Sequence, residues 1–212
     1  MKNGICYVVC AGENPGTMNL RKEEGDCIIA ADAGLKSLAE KNIKPDIILG
    51  DFDSLGYVPD FENVIVHKPE KDDTDSVLSV MKGFELGYLK FVIYGALGGE
   101  RIDHEIANLQ LLNYIAKRGG RGYIVSGRTL LTAFCNGSLA FFGDENGYFS
   151  VFSVDAKACG VTIENAKFKL NDAVLNNLDP IGTSNEFIGK PCRISVKEGT
   201  LLVTWSGDRL IW

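Results

Sequence analysis

The stretch KPDIILGDFDSL, residues 44–55, decides the fold. Its apolar run, residues 47–49, is typical of a strand buried on both faces of a parallel sheet. Gly50 ends the run, and Asp51 and Asp53 follow it. In extended backbone, side chains two residues apart point to the same side, so these carboxylates would converge. They would do so at the carboxyl end of the strand, where α/β sheets bind ligands, and carboxylate oxygens suit Mg²⁺. A solvated turn is the alternative, because Asp, Gly and Ser are common turn residues.

Composition restricts the function. The chain has 212 residues, a formal net charge of −6, 45% hydrophobic residues and 24% charged residues, which is ordinary for a globular protein. The acidic balance argues against a nucleic-acid partner. No long apolar run resembles a membrane span, and residues 1–4 lead directly into a short strand rather than a signal peptide. These two features predict a cytoplasmic location. The 6 cysteines form no CxxC pair, and in that location they are expected to be reduced thiols.

The first part of the chain alternates strands with helices. Residues 4–10, 27–31 and 47–49 are β-rich, and Leu35 and Leu38 share one face of a short helix before the third of these strands. Such alternation predicts a parallel sheet with crossover helices. We therefore expect a Rossmann-like, doubly wound α/β domain over residues 1–130.

Residues 131–212 are expected to form an all-β sandwich or barrel. Short β-rich segments in this region are separated by Gly, Asn and Asp turns, and no helical period appears. The segments expected as strands are residues 138–142, 148–154, 160–164, 193–196 and 201–205.

The motif KDDTD at residues 71–75 precedes a helix. Apolar residues recur at helical spacing and predict a helix over residues 75–86, ended by Gly87; they are Val77, Val80, Met81 and Phe84. Asp and Thr are preferred N-caps, so capping explains part of the motif. Three acids and a lysine exceed what capping requires. We therefore expect Asp75 to be a metal ligand and Lys71 a phosphate contact.

A glycine-rich turn, residues 95–99, follows another predicted strand. Backbone N–H groups in such a turn approach an anion closely, and the next helix directs its positive end to the same place. Arg101 is suited to clamp phosphate oxygens. His104 is either a helix-terminal residue bonded to a neighbour or part of the site, and the combination favours the site. The side chains expected to face inward from this helix are Ile106, Leu109, Leu112, Ile115 and Ala116.

These motifs together resemble one family. GDFDS at 50–54, KDDTD at 71–75 and GGERIDHEIANLQLL at 98–112 have the order and spacing of the thiamine pyrophosphokinase family. GTSNEF at 182–187 and the strand ending LLVTW resemble the family's thiamine-binding domain, so the likeness covers nearly the whole chain. The resemblance implies a Mg²⁺-dependent enzyme that transfers pyrophosphate from ATP to thiamine, giving thiamine diphosphate and AMP. It also implies a nucleotide-binding catalytic domain and a homodimer with thiamine where the subunits meet.

The resemblance also implies roles for individual residues. Those expected to hold Mg²⁺ are Asp51, Asp53 and Asp75. Asp103 would be a catalytic residue beside them and a candidate acceptor of the hydroxyl proton. Those expected to contact the nucleotide are Asp32, Lys71, Thr74, Arg101 and His104. Those expected to bind thiamine are Thr183, Ser184 and Asn185.

Two positions depart from the family pattern. Glu100 stands between the paired glycines and Arg101, which puts the reach of Arg101 in question. Ala33 stands after Asp32 where the family favours glycine, and two outcomes are open: its methyl group restricts the loop, or it has no effect. Neither departure changes a predicted metal ligand.

Three other functions fit some of the same residues. A strand followed by Asp-x-Asp also begins haloacid-dehalogenase-type phosphatases, in which Asp51 would form an aspartyl-phosphate. A different nucleotide-dependent kinase is a second possibility, although the absence of GxxxxGK[ST] excludes the commonest type. A non-catalytic thiamine- or nucleotide-binding protein is the third, and the crowded acids argue against it.

Overall fold

A computed structural model describes residues 2–12, 18, 20–68, 72–99 and 101–212. The chain divides into two compact units, Met1–Leu111 with Ile124–Gly127, and Leu112–Tyr123 with Arg128–Trp212. The division therefore falls within helix α3 (Ile102–Lys117) and strand β6 (Arg121–Ser126). A domain boundary at residue 130 stays a prediction.

The first unit is built on a parallel sheet, as predicted. Its strands within the described residues lie in the order β5–β1–β2–β3–β4. Their bounds are β1 (Ile5–Val9), β2 (Cys27–Ala31), β3 (Ile47–Gly50), β4 (Val64–Val66) and β5 (Lys90–Tyr94). Helices α1 (Gly34–Glu40) and α2 (Asp75–Glu85) connect strands of this sheet. All of β2 and most of β3 are buried, which is typical of parallel strands covered on both faces.

The strand order reverses beside β1. From β1 the chain builds outward through β2, β3 and β4, and then returns to place β5 on the other side of β1. The loop after β1 is tied to the segment after β5, because the N–H of Gly12 donates to the carbonyl of Gly95 at 2.9 Å. Such a reversal leaves a crevice at the carboxyl ends of the strands, where open sheets bind ligands.

The sequence predicts α2 well and one face of α3 less well. Helix α2 starts at the predicted residue and ends at Glu85, and Gly87 follows with φ 91°. In α3, Leu112 and Ile115 are buried as predicted, but the prediction for Ile106 is wrong, since it is 52% exposed. Near the start of α3 it is a polar residue, Asn108, that is buried, rather than Ile106.

The second unit contains antiparallel strands in two sheets, as the β-rich pattern predicts. One set of its strands has the order β12–β9–β14–β7 and the other β11–β10–β13–β8. The strands near predicted segments are β8 (Ser138–Ala140), β9 (Tyr148–Ser153), β10 (Lys157–Glu164), β13 (Arg193–Ser195) and β14 (Thr200–Ser206). Those that the sequence did not reveal are β7 (Thr129–Cys135), β11 (Leu170–Asn176) and β12 (Asn185–Glu186).

Aromatic rings form the core of the second unit. The Phe187 ring lies 4.8 Å from Phe141 and 4.7 Å from Phe149, and Trp205 packs edge-on against Phe141 at 5.3 Å. These ring contacts add to the free energy that burial of apolar surface supplies. Among the described residues, no helix is both long and apolar enough to cross a membrane.

Candidate functional site

Three carboxylates from distant parts of the chain meet at the carboxyl edge of the parallel sheet. Asp32 follows β2, Asp51 follows β3 and Asp75 is the first residue of α2. One oxygen from each lies within 4.8 Å of the others. We call these residues the aspartate cluster. Like charges this close repel one another, so the arrangement is favourable only with a cation or bound protons between them.

Asp32 is the most constrained member of the cluster. Its side chain is 8% exposed, and within the described residues its Oδ1 has no hydrogen-bond partner. Its backbone adopts the left-handed φ of 47°, and its N–H donates to the carbonyl of Leu49 at 2.8 Å. Gly50 permits this close approach, because a Cβ there would lie 3.1 Å from the Cα of Asp32. A buried carboxylate oxygen that lacks a donor is unfavourable, which points to a cation as its partner.

The backbone between Asp51 and Asp53 is not extended, so that expectation is wrong. Phe52 has φ 63° and is 2% exposed, because the chain turns there to bury the aromatic ring. Left-handed backbone is rare and strained for a bulky side chain, and such strain concentrates at functional sites. The turn leaves Asp53 exposed and outside the aspartate cluster. Its N–H donates to Oδ1 of Asp51 at 3.3 Å. The role of Asp53 as a metal ligand stays a prediction.

The third cluster member lies at the positive end of α2. Thr74 caps this helix, since its Oγ1 accepts the N–H of Val77 at 3.4 Å. The side chain of Asp75 is therefore not needed as the cap, although the helix dipole favours a carboxylate in the first turn. Thr74 therefore caps the helix, and the carboxylate of Asp75 is left to the aspartate cluster.

The cluster lies in a cleft of about 490 Å³ within the first unit. Arg101 and His104 line it together with six acidic residues. The acids among the described residues are Asp32, Asp51, Asp72, Asp73, Asp75 and Glu105. A cleft of this charge repels a polyphosphate unless cations accompany it. Thr74 also lines the cleft, so the structure brings it together with Asp32, Arg101 and His104, and their roles toward the nucleotide stay predictions. Lys71 and Glu100, which the sequence also singled out, lie outside the described residues.

Arg101 and Asp103 pair with each other. The Nε and Nη2 atoms of Arg101 donate to the two oxygens of Asp103 at 2.9 and 2.6 Å, and the side chains are 67% and 61% exposed. The hydrogen bonds from Arg101 lower the pKa of Asp103 to about 2. A carboxylate with this pKa is a weak proton acceptor. In the described part of the chain, Asp103 does not line the cleft, and its catalytic role stays a prediction.

Six polar residues of the cleft were given no role in the sequence analysis. They are Ser54, Asp72, Asp73, Ser76, Glu105 and Asn108. Glu105 and Asn108 are three residues apart in α3 and therefore lie on the same face, a spacing that could have identified them. The thiol of Cys10 also lines the cleft, and burial raises its pKa to about 12, so it stays protonated and unreactive.

The alanine that replaces the family's glycine is accommodated without strain. Ala33 has φ −66° and ψ −4°, ordinary helical values, and forms the N-cap of α1. A glycine is not required at this position, because an L-residue adopts this backbone readily.

The three residues expected to bind thiamine lie in the second unit and form hydrogen bonds within it. Asn185 is 4% exposed, its Nδ2 donates to the carbonyl of Phe168 at 2.6 Å, and its Oδ1 accepts the N–H of Phe168 at 3.0 Å. The hydroxyl of Thr183 donates to the carbonyl of Pro180 at 2.7 Å. Ser184 has φ 60°, and its N–H donates to Oγ of Ser150 at 3.0 Å. Their roles toward thiamine stay predictions.

Family models match most of the chain. Residues 19–124 match the model described as thiamin pyrophosphokinase, catalytic domain. Residues 142–201 match the model described as thiamin pyrophosphokinase, vitamin B1 binding domain. No curated protein matches the sequence significantly.

Solved structures share the fold over nearly the full length. A thiamine pyrophosphokinase from Bacillus subtilis is 25% identical, with a TM-score of 0.84 over 97% of this chain and 100% of that one. A thiamin pyrophosphokinase from Geobacillus thermodenitrificans is 26% identical, with a TM-score of 0.80 over 98% and 100%. One from Candida albicans is 14% identical, with a TM-score of 0.74 over 97% and 90%, and supports the fold alone.

Proposed function

Since the chain belongs to the thiamin pyrophosphokinase family, we propose that it transfers the pyrophosphoryl group of ATP to the hydroxyl group of thiamine. The products are thiamine diphosphate and AMP. The observation that carries this proposal is the aspartate cluster at the carboxyl edge of the sheet, in the part of the chain that matches the family's catalytic domain. The alternative of an aspartyl-phosphate phosphatase is not supported by this family.

The cluster has the chemistry that a Mg²⁺ site needs. Its three ligand groups are carboxylates, and Mg²⁺ prefers oxygen ligands. A cation would also satisfy Oδ1 of Asp32, which has no partner among the residues that the structure describes. Asp32, Asp51 and Asp75 would hold the ion. When bound, Mg²⁺ neutralises phosphate charge and orients the reacting groups. Asp53 would support Asp51 through its backbone N–H, which donates to Oδ1 of Asp51.

The remaining residues of the cleft would bind and orient the nucleotide. Arg101 presents a guanidinium fork that suits two phosphate oxygens, and it would exchange its bonds to Asp103 for bonds to phosphate. Thr74 and His104 line the same cleft and would contact the nucleotide beside it. We also assign Lys71 to the phosphates, because it lies four residues before Asp75 in the sequence.

The reaction demands positioning more than covalent chemistry by the protein. The thiamine hydroxyl oxygen bonds to the β-phosphorus of ATP, the bond from that phosphorus to the α–β bridging oxygen breaks, and AMP leaves with that oxygen. The hydroxyl proton passes to a carboxylate of the cleft or to water. An approach in line with the leaving oxygen, in a site that neutralises phosphate charge, supplies most of the rate enhancement.

The second unit would supply the vitamin site. It matches the vitamin B1 binding model, and we assign Thr183, Ser184 and Asn185 to the border of that site. Because Asn185 is bonded to Phe168, we propose that it shapes the segment and that neighbouring groups touch thiamine. We further propose a homodimer with thiamine between subunits and a cytoplasmic location, with which the free cysteines agree.

The test is product analysis. Purified full-length protein is incubated with ATP, Mg²⁺ and thiamine, and nucleotides and thiamine esters are separated chromatographically. We expect AMP and thiamine diphosphate in equal amounts, and no turnover when EDTA removes the metal. ADP with thiamine monophosphate would instead indicate transfer of a single phosphoryl group. Tight binding of both ligands by calorimetry without any AMP would identify a non-catalytic binding protein.

A further inference from the structure

The glycine-rich turn, residues 95–99, is held by two side chains of α3. Nδ2 of Asn108 donates to the carbonyl of Ala96 at 2.8 Å, and Oε1 of Glu105 accepts the N–H of Gly98 at 2.9 Å. Asn108 is 6% exposed, so its bond to Ala96 is made away from water, while the bond from Gly98 to Glu105 is partly buried. The turn is therefore bound to the helix at two points rather than left as a free loop.

The same asparagine also reaches the start of α2. Its Oδ1 accepts the hydroxyl of Ser76 at 2.7 Å, and Oγ of Ser76 lies 2.9 Å from Oγ1 of Thr74. Ser76 is 8% exposed and directly follows Asp75 of the aspartate cluster. One buried side chain thus connects the glycine-rich turn to the helix end that carries a cluster carboxylate.

In this hydrogen-bond network the donor and the acceptor of each bond can be assigned. The carbonyl of Ala96 can only accept, so the NH₂ group of Asn108 faces it and Oδ1 faces Ser76. The hydroxyl of Ser76 has one proton and donates it to Oδ1 of Asn108. The hydroxyl of Thr74 must therefore donate to Oγ of Ser76, while Oγ1 of Thr74 accepts the N–H of Val77. No member can be reversed, which gives the network one arrangement.

We propose that Asn108 is a positioning residue that fixes the separation between the glycine-rich turn and the start of α2. The inference rests on the proposed function, together with the expectation from the sequence that backbone N–H groups of the turn approach the polyphosphate held at the aspartate cluster. Loss of the bond to Ala96 would release the turn, so the nucleotide would have to order it on binding. Thiamine is assigned to the other unit, so its binding would not have to order the turn.

Three variants separate the two halves of the network. Asn108→Asp keeps an acceptor for Ser76 but places an oxygen against the carbonyl of Ala96, where two acceptors repel. Ser76→Ala removes the link to α2 and leaves the bond to Ala96. Ser79→Ala is the matched control, because Ser79 is a fully buried serine of the same helix whose Oγ has no partner among the described residues.

The measurements are KM for ATP, KM for thiamine, kcat and the free energy of unfolding. For Asn108→Asp we expect KM for ATP to rise about tenfold, with KM for thiamine unchanged. For Ser76→Ala the rise is about threefold, and for Ser79→Ala there is none. Hydrogen exchange of the amides in residues 95–99 should speed up in Asn108→Asp by more than global destabilisation explains. A residue that only supports the fold would not separate the two KM values. Because Asn108→Asp also adds a negative charge to the acidic cleft, a rise in Ser76→Ala, which adds no charge, is required as well.

The outcomes are decisive in each case. Equal KM values for ATP in Asn108→Asp and Ser79→Ala would overturn the inference. If Asn108→Asp does not fold, Ser76→Ala carries the test, and an unchanged KM for ATP in that variant overturns it. If the wild type forms no AMP but binds ATP with Mg²⁺, calorimetric affinities replace KM and the inference stands or falls on them. Absence of both AMP formation and ATP binding in the wild type would reject the proposed function itself.

Discussion

The aspartate cluster of the first unit and residues 183–185 of the second differ in how their polar groups are satisfied. In the cluster, three carboxylates lie close together, and Oδ1 of Asp32 is buried with no partner among the described residues. In the 183–185 segment, each residue forms a hydrogen bond inside its own unit, and Asn185 is almost fully buried. Both regions were predicted as ligand sites from the sequence, but of the two only the first holds a buried oxygen, Oδ1 of Asp32, that has no partner within the described ranges.

This difference indicates that the aspartate cluster is a ligand site and that residues 183–185 act mainly as structural support. An unsatisfied buried charge reduces the stability of the ligand-free protein, and binding of a ligand offsets that loss. Satisfied buried polar groups rigidify a segment and specify its shape. We therefore expect changes in the cluster to affect activity more than stability, and changes at residue 185 to affect stability first.

The largest effect is expected in the cluster. Asp51→Asn and Asp75→Asn should each lower kcat at least about a hundredfold, because a ligand of the metal is lost. Asp53→Asn is the comparison, and its loss should be about tenfold or less, since that carboxylate lies outside the cluster. Steady-state AMP formation at saturating Mg²⁺ measures all three. A loss in Asp53→Asn as large as in Asp51→Asn would place Asp53 among the ligands.

The second effect belongs to residues 183–185. Asn185→Ala removes the partners of both backbone groups of Phe168 and should lower the free energy of unfolding by about 2 kcal/mol. Ser184→Ala alters an exposed side chain and is the control, with a change within about 0.5 kcal/mol. Urea denaturation followed by fluorescence gives both values. If Asn185→Ala keeps wild-type stability but loses thiamine binding, Asn185 is a ligand-binding residue instead.

The third effect has opposite signs for stability and function. Asp32→Asn removes a negative charge from a buried and crowded position, so without metal the variant should be more stable by about 1 kcal/mol. The same substitution should abolish the rise in melting temperature that Mg²⁺ gives the wild type. Thermal unfolding with Mg²⁺ and with EDTA tests both statements. Destabilisation of the metal-free variant would contradict the claim that the Asp32 carboxylate is unsatisfied.

The smallest effect concerns pH. Arg101 depresses the pKa of Asp103 to about 2, so their small stabilising interaction is present above the unfolded carboxyl's pKa of about 3.9 and is lost as the pH falls toward 2. Between about pH 5 and 8 the carboxylate is ionised in both the folded and the unfolded protein, so the pair adds no pH dependence to the free energy of unfolding there. In Arg101→Gln the pKa should return toward about 3.9, which NMR titration of the Asp103 carboxyl measures. An Asp103 pKa that does not move would show that the pair does not form.

The sequence predicted the parts of this comparison that depend on local pattern. The apolar run before Gly50 and the helical spacing after Thr74 identify elements whose ends meet at one sheet edge, so Asp51 and Asp75 could be placed there. Helix α2 was predicted almost to the residue for the same reason. Family resemblance then supplied the proposed function, which pattern alone left open.

Long-range packing determined what the sequence did not reveal. Phe52 turns into the core, a preference of the folded environment, and this removes Asp53 from the side of Asp51. Asn185 finds its partner Phe168 17 residues earlier in the chain, so a motif could mark the residue but not its hydrogen bonds. The buried role of Asn108 depends on a turn and a second helix that only the fold brings to it.

Anomalous diffraction from crystals grown with Mn²⁺, ATP and a non-reactive thiamine analogue tests the central claim most directly. The claim is that Asp32, Asp51 and Asp75 form a site for a divalent ion that the nucleotide shares. The predicted result is a strong Mn²⁺ peak bound by these three carboxylates and by phosphate oxygens. A Mn²⁺ peak bound elsewhere on the chain, with the three carboxylates turned away from the nucleotide, would contradict it.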